Sequence, residues 1–318
     1  MQAVPVAWGI LSTARINRHV LVGARKSNRV EIVAVASRDD ARAEAYARKH
    51  GIPRSHGSYE ALLADDAVEA VYIPLPNSMH VEWTIRALQA GKHVLCEKPL
   101  ARRAADAEHA FDVAEEAGRF LMEAFMYRHN PQTRRLVELV DAGAVGQLRL
   151  IRAAFSFTVE GSTNIRLLAE LDGGALMDVG CYCVSASRLL AGEPVRVNGE
   201  QLSARGVDVR FAGTMRFDND VIGQFDCGLD LPFRDELEVI GSDGSLFLDD
   251  PWHCRSPLIE LRRAGGSERI EIDLADSYQL ELENLSEAIR GEAEPLLGRE
   301  DAVGQARSLE ELYRAAAA

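Results

Sequence analysis

Along the first 126 residues, short runs of consecutive apolar residues alternate with stretches whose apolar positions recur every three or four. The runs VPVAWGIL (4–11), VEIVAVAS (30–37), VEAVYI (68–73), HVLC (93–96) and RFLMEAF (119–125) carry little polar alternation, as strands do when both faces of a parallel sheet are covered. Between them lie helical stretches. In SMHVEWTIRALQAG, Val81, Ile85 and Leu88 share one face and Gly91 closes the run; Ala107, Ala110, Phe111 and Ala114 repeat the pattern before Gly118. Strands alternating with helices predict a doubly wound sheet.

After a helix opening near Pro131 the pattern changes. QLRLIRAAFSFTV, VDVRFAGTMRF, VIGQFDCGL, ELEVIGSDGSLFL, LIELRRAG and ERIEIDL read as strands joined by short Gly and Asp turns, which predicts an antiparallel sheet. One helix, about 174–191, interrupts it, and two more, about 278–290 and 299–315, follow it. No repeat or low-complexity linker separates the two halves.

At 318 residues the chain exceeds one ordinary hydrophobic core, so two domains are expected. Its 47% hydrophobic and 27% charged content is that of a globular protein. A net charge of −13 argues against nucleic acid and anionic membrane as main partners, since phosphate backbones call for a basic surface, although it leaves room for local basic spots. The opening MQAVPVAWGIL has no secretory pattern and no window is long and apolar enough to span a bilayer, so a cytoplasmic location is expected. Cys96, Cys181, Cys183, Cys227 and Cys254 are odd in number and sit in apolar runs, which suits reduced thiols. The one-residue spacing of Cys181 and Cys183, without a histidine cluster, gives no metal site.

In a parallel sheet, ligands bind beyond the carboxyl ends of the strands. The first strand ends in GILSTARIN, and the turn Ser12, Thr13, Ala14, Arg15, Ile16 stands where a dinucleotide fold carries its glycine fingerprint, with Ser12, Ala14 and Asn17 at the three fingerprint positions. Small residues there let backbone N–H groups approach a pyrophosphate; an ordinary strand-to-helix turn would carry the same residues. The second strand ends in Ser37 and Arg38. A carboxylate at that place would grip the ribose 2'-hydroxyl of NAD, whereas a hydroxyl beside a guanidinium suits the 2'-phosphate of NADP, so NADP is expected over NAD. The loop IPLPNSMH supplies Pro74, Leu75, Asn77 and His80 as a shelf for the nicotinamide and its ribose; alternatively Asn77 or Ser78 caps the following helix and His80 is structural.

Only four of the 36 basic residues are lysines: Lys26, Lys49, Lys92 and Lys98. Arginine holds its proton near neutrality while a lysine can be tuned, so Lys98, in the strand-end sequence Glu97-Lys98-Pro99, is a candidate for chemistry, although a surface lysine before a helix-opening proline is the plainer alternative. In DGGALMDVGCYCVSASRLL (172–190), Leu176, Val179, Cys183, Ala186 and Leu190 form an apolar seam. Asp178 and Tyr182, four apart, share another face, and Gly180 between them leaves room for a ligand. A phenol and a carboxylate so placed can handle a proton; a core tyrosine with a satisfied hydroxyl is the alternative.

WGILSTARIN, AVASRD, YIPLPNSMH, AGKHVLCEKPLA, MEAFMYR and GGALMDVGCYCV, in that order, make the chain resemble the glucose-fructose oxidoreductase and inositol dehydrogenase (Gfo/Idh/MocA) superfamily, particularly its dimeric dihydrodiol dehydrogenase and xylose dehydrogenase branch. The resemblance covers nearly the whole chain. It implies an N-terminal Rossmann domain (1–125) for NAD(P) and a C-terminal α+β domain (126–318) with a large open, mainly antiparallel sheet that forms a homodimer or higher homo-oligomer. Its lysine and helix tyrosine match Lys98 and Tyr182, its helix carboxylate matches Asp178, and Arg128 and Arg166 face substrate or nicotinamide. Family members often have glycine where Ser12 and Asn17 stand. The implied reaction is hydride transfer between nicotinamide C4 and a carbinol carbon of a sugar, sugar derivative or small diol. Tyr182 then gives and takes the proton while Lys98 tunes it, roles that could be exchanged, and Asp178 orients. A free tyrosine ionises near pH 10, so acting as a base near neutrality takes about 4 kcal/mol of differential stabilisation. A glycosidase with transient redox, or a regulator that only binds cofactor, are the alternatives; the loop 158–173 does not name a substrate.

Overall fold

The computed structural model describes residues 4–161 and 163–317; Ser162 of the 158–173 loop therefore lies outside the described residues, as do residues 1–3 and 318. The chain forms two compact units. The first comprises 1–101, 105–126 and 276–303; the second comprises 102–104, 127–275 and 304–318.

The first unit is built on a six-stranded parallel sheet: β1 (Val6–Leu11), β2 (Val30–Ala36), β3 (Arg54–His56), β4 (Ala70–Ile73), β5 (His93–Glu97) and β6 (Leu121–Ala124), in the order β3-β2-β1-β4-β5-β6. The strands are nearly all buried, which is why they read as unbroken apolar runs. Helices α1 (Asn17–Lys26), α2 (Asp40–His50), α3 (Tyr59–Leu63), α4 (His80–Gln89) and α5 (Ala104–Ala117) connect them. The short edge strand β3, RSH, lies outside the sequence expectation because it has neither length nor apolar content. Strand order reverses between β1 and β4, so the turns after these two strands diverge and leave a crevice at their carboxyl ends.

The second unit opens with α6 (Pro131–Asp141), capped by the Asn130 side chain on Gln132 N–H. Its eight-stranded sheet contains β7 (Leu148–Thr158), β8 (Pro194–Ala204), β9 (Val207–Phe217), β10 (Ile222–Gly228), β11 (Asp230–Gly241), β12 (Ser245–Asp249), β13 (Leu258–Arg263) and β14 (Gly266–Glu271), in the order β14-β13-β12-β11-β7-β10-β9-β8. All its pairings are antiparallel except β7 with β10, which run parallel. The sheet is thus mainly antiparallel, as expected, with one parallel pair: a helix and two strands separate β7 from β10 in sequence, so the chain has crossed over before pairing them. Along β9 to β11 buried and exposed residues alternate, with one face packed and the other carrying Arg210, Thr214, Gln224 and Glu236. A π-helical turn (Leu176–Gly180) and α7 (Cys181–Ala191) lie on the packed face across β7 and β10.

The expected single seam on α7 is replaced by burial on nearly every side: Cys181 through Arg188 are all buried. Gly180 faces the sheet and not a ligand. A Cβ there would stand 2.7 Å from Cys227 Sγ and 2.9 Å from Leu176 Cδ1, so its missing side chain lets the helix settle on β10.

The chain then returns to the first unit as α8 (Ser277–Ile289), whose Asp276 caps Tyr278 and Gln279 N–H groups, and ends in α9 (Arg299–Ala316). A single cut after residue 125 misses this return. It is fixed by close packing: a Cβ on Gly23 of α1 would meet the Gln279 backbone nitrogen at 2.6 Å, Trp8 Nε1 donates to Ser286 Oγ at 3.2 Å, Lys26 pairs with Asp276 at 2.7 Å, and His19 stacks on Tyr278 with centroids 5.3 Å apart. All five cysteines are free thiols and buried. Among the described residues no helix is long and apolar enough to cross a membrane.

Candidate active site

In the first unit the turn after β1 holds Ser12 at φ +143°, a backbone region that glycine occupies freely and other residues rarely adopt. The serine side chain offsets this. Its Oγ donates to Pro74 O at 3.2 Å and accepts from Ala14 N–H at 3.2 Å, while Asn17 Nδ2 donates back to Ser12 O at 2.8 Å. A fingerprint written with serine and asparagine therefore closes the same tight turn a glycine would and ties it to the end of β4. Thr13, Ala14, Arg15 and Ile16 complete the turn between Ser12 and α1.

At the end of β2, Ser37 is buried and Arg38 exposed. Arg42, on the first turn of α2, brings its Nε to Ser37 Oγ at 2.8 Å, and its charge and that of Arg38 both reach the buried Tyr59 hydroxyl. The sequence expectation named Ser37 and Arg38; Arg42, which the structure sets beside Ser37, was not among the candidates, its only signal being its place in the first turn of the following helix. Asp39 is spent as the α2 cap on Arg42 N–H at 2.7 Å.

After β4 the chain passes through a 3₁₀ turn (Asn77–Met79) into α4. The entry residues of the turn and of α4 are Pro76 and Met79, whose own side chains make no cap, and the turn's backbone is closed by Met79 N–H to Pro76 O at 2.9 Å. His80 is buried, with Nδ1 2.8 Å from Pro99 O and Nε2 2.8 Å from Leu75 O. It clamps the loop carrying Pro74 and Leu75 to the loop after Lys98. Leu100 N–H donates to the buried Glu123 at 2.7 Å, which holds the other side of that loop. Lys98 is half-buried at the end of β5, and its peptide bond to Pro99 is cis. Glu97 accepts the Tyr72 hydroxyl at 2.5 Å. Behind Glu97, Glu281 of α8 is fully buried with neither carboxyl oxygen hydrogen-bonded; burial and the charges of Glu97 and Asp276 push it well above the usual carboxylate range. Tyr278 is raised as well, mainly by burial.

In the second unit Tyr182 is buried among rings, with centroids 5.4 Å from Phe155, 5.7 Å from Tyr127 and 6.0 Å from Trp252. Trp252 Nε1 donates to Ala154 O at 3.0 Å, and the Tyr127 hydroxyl donates to Ser185 Oγ at 2.8 Å, so the wall is fixed on both sides. One turn earlier, Asp178 accepts Arg166 Nε at 2.6 Å, and Arg166 lies 5.8 Å from the Phe157 ring. Arg128 Nη1 reaches Ser185 Oγ at 3.4 Å. The π-helical turn places Asp178 and Tyr182: it winds Leu176–Gly180 wider than an α-helix, and the buried Asp208 holds its start through Leu176 N–H at 2.7 Å. Tyr182 of α7, Asp178 of the π-helical turn, and Arg166 and Arg128 of two separate 3₁₀ turns all belong to the second unit. Phe155 and Asp208 were missed because strand pairing alone brings them there, and Trp252 because it sits in the turn after β12, where its N–H is held by Asp235.

A parallel sheet wound in this order, with a tight small-residue turn into α1 at its switch point, defines a dinucleotide-binding α/β protein. Residues 7–125 match the family model described as "Oxidoreductase family, NAD-binding Rossmann fold" of the GFO/IDH/MocA group, and residues 133–247 match the GFO/IDH/MocA C-terminal domain. The chain is similar to D-xylose 1-dehydrogenase (NADP(+)) 2 of Haloferax volcanii, with 41% identity over 97% of both proteins. It is also similar to trans-1,2-dihydrobenzene-1,2-diol dehydrogenase of Homo sapiens, with 34% identity over 79% of this chain and 77% of that one. Its fold matches that of KijD10, a 3-ketoreductase from Actinomadura kijaniata solved with NADP and TDP-benzene, at a TM-score of 0.91, 32% identity and 98% coverage of both chains. KijD10 has also been solved with one tyrosine changed to phenylalanine and with one lysine changed to alanine or glutamate. The chain belongs to the GFO/IDH/MocA oxidoreductase family, and it is an enzyme of the dehydrogenase and reductase kind.

Proposed function

We propose that the protein is an NADP(H)-dependent oxidoreductase that interconverts a carbinol and a carbonyl on a sugar, a sugar derivative or a small diol. The observation that carries this is Tyr182, set in the Tyr127–Phe155–Trp252 wall one turn after an Asp178–Arg166 pair. A rigid apolar wall with one phenol and one ion pair is suited to a polyol: rings pack on C–H faces while a few polar groups fix orientation.

The first unit fits the cofactor. The turn Ser12–Ile16 has the backbone of a pyrophosphate cradle, and Ser37 with Arg38 and Arg42 offers a hydroxyl and two guanidinium groups to a 2'-phosphate. Pro74, Leu75, Asn77 and Glu97 border the nicotinamide end, with His80 bracing the two loops. The nicotinamide, when bound, supplies the hydride acceptor or donor. Tyr182 takes the hydroxyl proton on oxidation and returns it on reduction. Lys98 stabilises the tyrosinate and donates to the substrate oxygen. Arg166, aligned by Asp178, and Arg128 hold neighbouring hydroxyls. The lysine and tyrosine altered in KijD10 stand at the same sequence separation as Lys98 and Tyr182. A second copy of the chain covers the exposed face of the eight-stranded sheet.

The test is a sugar and diol panel with NADP and NAD supplied separately. Net formation of reduced cofactor with NADP preferred supports the reading. Release of a glycone without net reduction points to a transient-redox glycosidase, and binding without turnover to a regulator. Tyr182→Phe is expected to lower kcat at least about 100-fold with the fold unchanged, and Lys98→Arg to keep binding while losing rate; full turnover of Tyr182→Phe with an unshifted pH profile would remove the assignment.

A further inference from the structure

The second unit holds a histidine–carboxylate dyad beside the aromatic wall that none of the roles above uses. Asp235 of β11 is 3% exposed. Its Oδ1 accepts Trp252 N–H at 3.1 Å, and its Oδ2 lies 2.5 Å from His253 Nδ1. The His253 side chain is 37% exposed, and among the described residues nothing hydrogen-bonds its Nε2. Its ring stands edge-on to Phe155 with centroids 5.5 Å apart, the same Phe155 that contacts Tyr182 at 5.4 Å. Phe233, 57% exposed, lies on its other contact at 6.2 Å.

This geometry is that of an oriented imidazole. With one proton shared between Nδ1 and a buried carboxylate, the ring cannot turn without leaving Asp235 unpaired, so Nε2 keeps a fixed direction. Burial raises the Asp235 carboxyl, while the His253 and Trp252 N–H bonds draw it back. A metal explains the cluster less well. Ligand atoms of Asp235, Asp250 and His253 do lie within 4.8 Å of one another, yet Asp250 is already neutralised by Arg255 through Nε at 3.0 Å and Nη2 at 2.5 Å, with Ser256 N–H adding a bond at 3.1 Å. The charge a cation would bring is present as guanidinium.

We propose that His253, oriented by Asp235, is a substrate-recognition residue: Nε2 accepts a hydrogen bond from a hydroxyl of a carbohydrate whose C–H face rests on Phe155 and Phe233. A small hydrocarbon diol has one hydroxyl besides the carbinol held by Tyr182, whereas a sugar carries several along its ring, so the dyad favours sugars over aromatic diols. The inference rests on the sugar-oxidoreductase reading and narrows it.

Steady-state kinetics on the best sugar of the panel test it. His253→Ala is expected to raise the sugar KM about 10- to 100-fold with kcat within about threefold and the NADP KM unchanged, and His253→Gln, whose amide reaches the Nε2 position, to restore much of it. A deoxy sugar lacking the contacted hydroxyl should show the same penalty on wild type and no further penalty on His253→Ala. An unchanged sugar KM in His253→Ala, or a deoxy penalty that persists in that variant, overturns the proposal. So does stoichiometric binding of Zn²⁺ alone that His253→Ala abolishes. If wild type turns over no sugar or diol, the functional reading fails by itself; the dyad is then judged by whether sugar added to the Tyr182→Phe protein with NADP shifts the His253 ring ¹⁵N resonances, and no shift counts against it.

Discussion

On the proposed reading, Ser37 divides two cofactor chemistries. A carboxylate there would accept the ribose hydroxyls and repel a phosphate; a buried hydroxyl beside the Arg42 guanidinium would do the reverse. A hydrogen bond to a charged group contributes about 1.5–3 kcal/mol, so Arg42→Ala is expected to raise the NADP KM or Kd about tenfold or more and leave NAD nearly untouched, as cofactor titration by fluorescence would show. An equal loss for both cofactors would mean that Arg42 supports the loop and not the phosphate. The place of Ser37 and Arg38 at the end of β2 was legible in the sequence because strand ends have a fixed grammar in parallel sheets. Arg42 was not, since an arginine in a first helical turn looks the same whether it faces solvent or a hydroxyl. Asn77, open in the sequence to a place on the nicotinamide shelf or to a capping role, begins a 3₁₀ turn ahead of α4, an entry too short to leave a periodic pattern.

At the scale of elements, the parallel strands were legible as apolar runs, and most antiparallel strands from alternation and turns. The edge strands β3 and β8 were not. The first is three residues long, and the second is largely exposed along PVRVNGEQLSA, so neither buries enough to leave a pattern. The aromatic wall was half legible: the helical stretch 174–191 was expected and carries Asp178 and Tyr182, whereas Phe155 and Asp235 meet only because β7 and β11 pair in register. Helix α8 carries a further expectation. Below about pH 4.5, the ordinary value for a glutamate, Glu281 is protonated in folded and unfolded chains alike; above it the unfolded chain loses the proton while the folded one keeps it. The folded state then binds more protons, so stability falls as pH rises. Glu281→Gln, neutral at every pH, should melt with wild type near the acid end and progressively above it toward about pH 8. Parallel melting curves across that range would show that Glu281 is ionised in the fold.

For the whole molecule, the exposed face of the eight-stranded sheet has no part in the chemistry proposed above. Arg152, Thr214, Gln224, Asp226, Arg234 and Glu236 line a shallow concavity of about 570 Å³ there, and Ile222 beside them is 41% exposed. Both signs of charge alternate across the face, which suits pairing with a copy of itself. Sedimentation equilibrium is expected to give a dimer, and Arg152→Glu combined with Gln224→Glu to give a folded monomer; a wild type that is monomeric at all concentrations would leave this face without the assigned role.

The return of α8 has a consequence for biogenesis. During synthesis the half that grips the dinucleotide cannot finish when its own six strands have emerged, because the surface of α1 around Gly23 and the indole of Trp8 wait for residues some 250 positions downstream. Nascent chains must carry that uncovered patch until nearly the last helix leaves the ribosome. A fragment cut after Met126 would therefore be a poor stand-in for the cofactor-binding half, however complete its strands look.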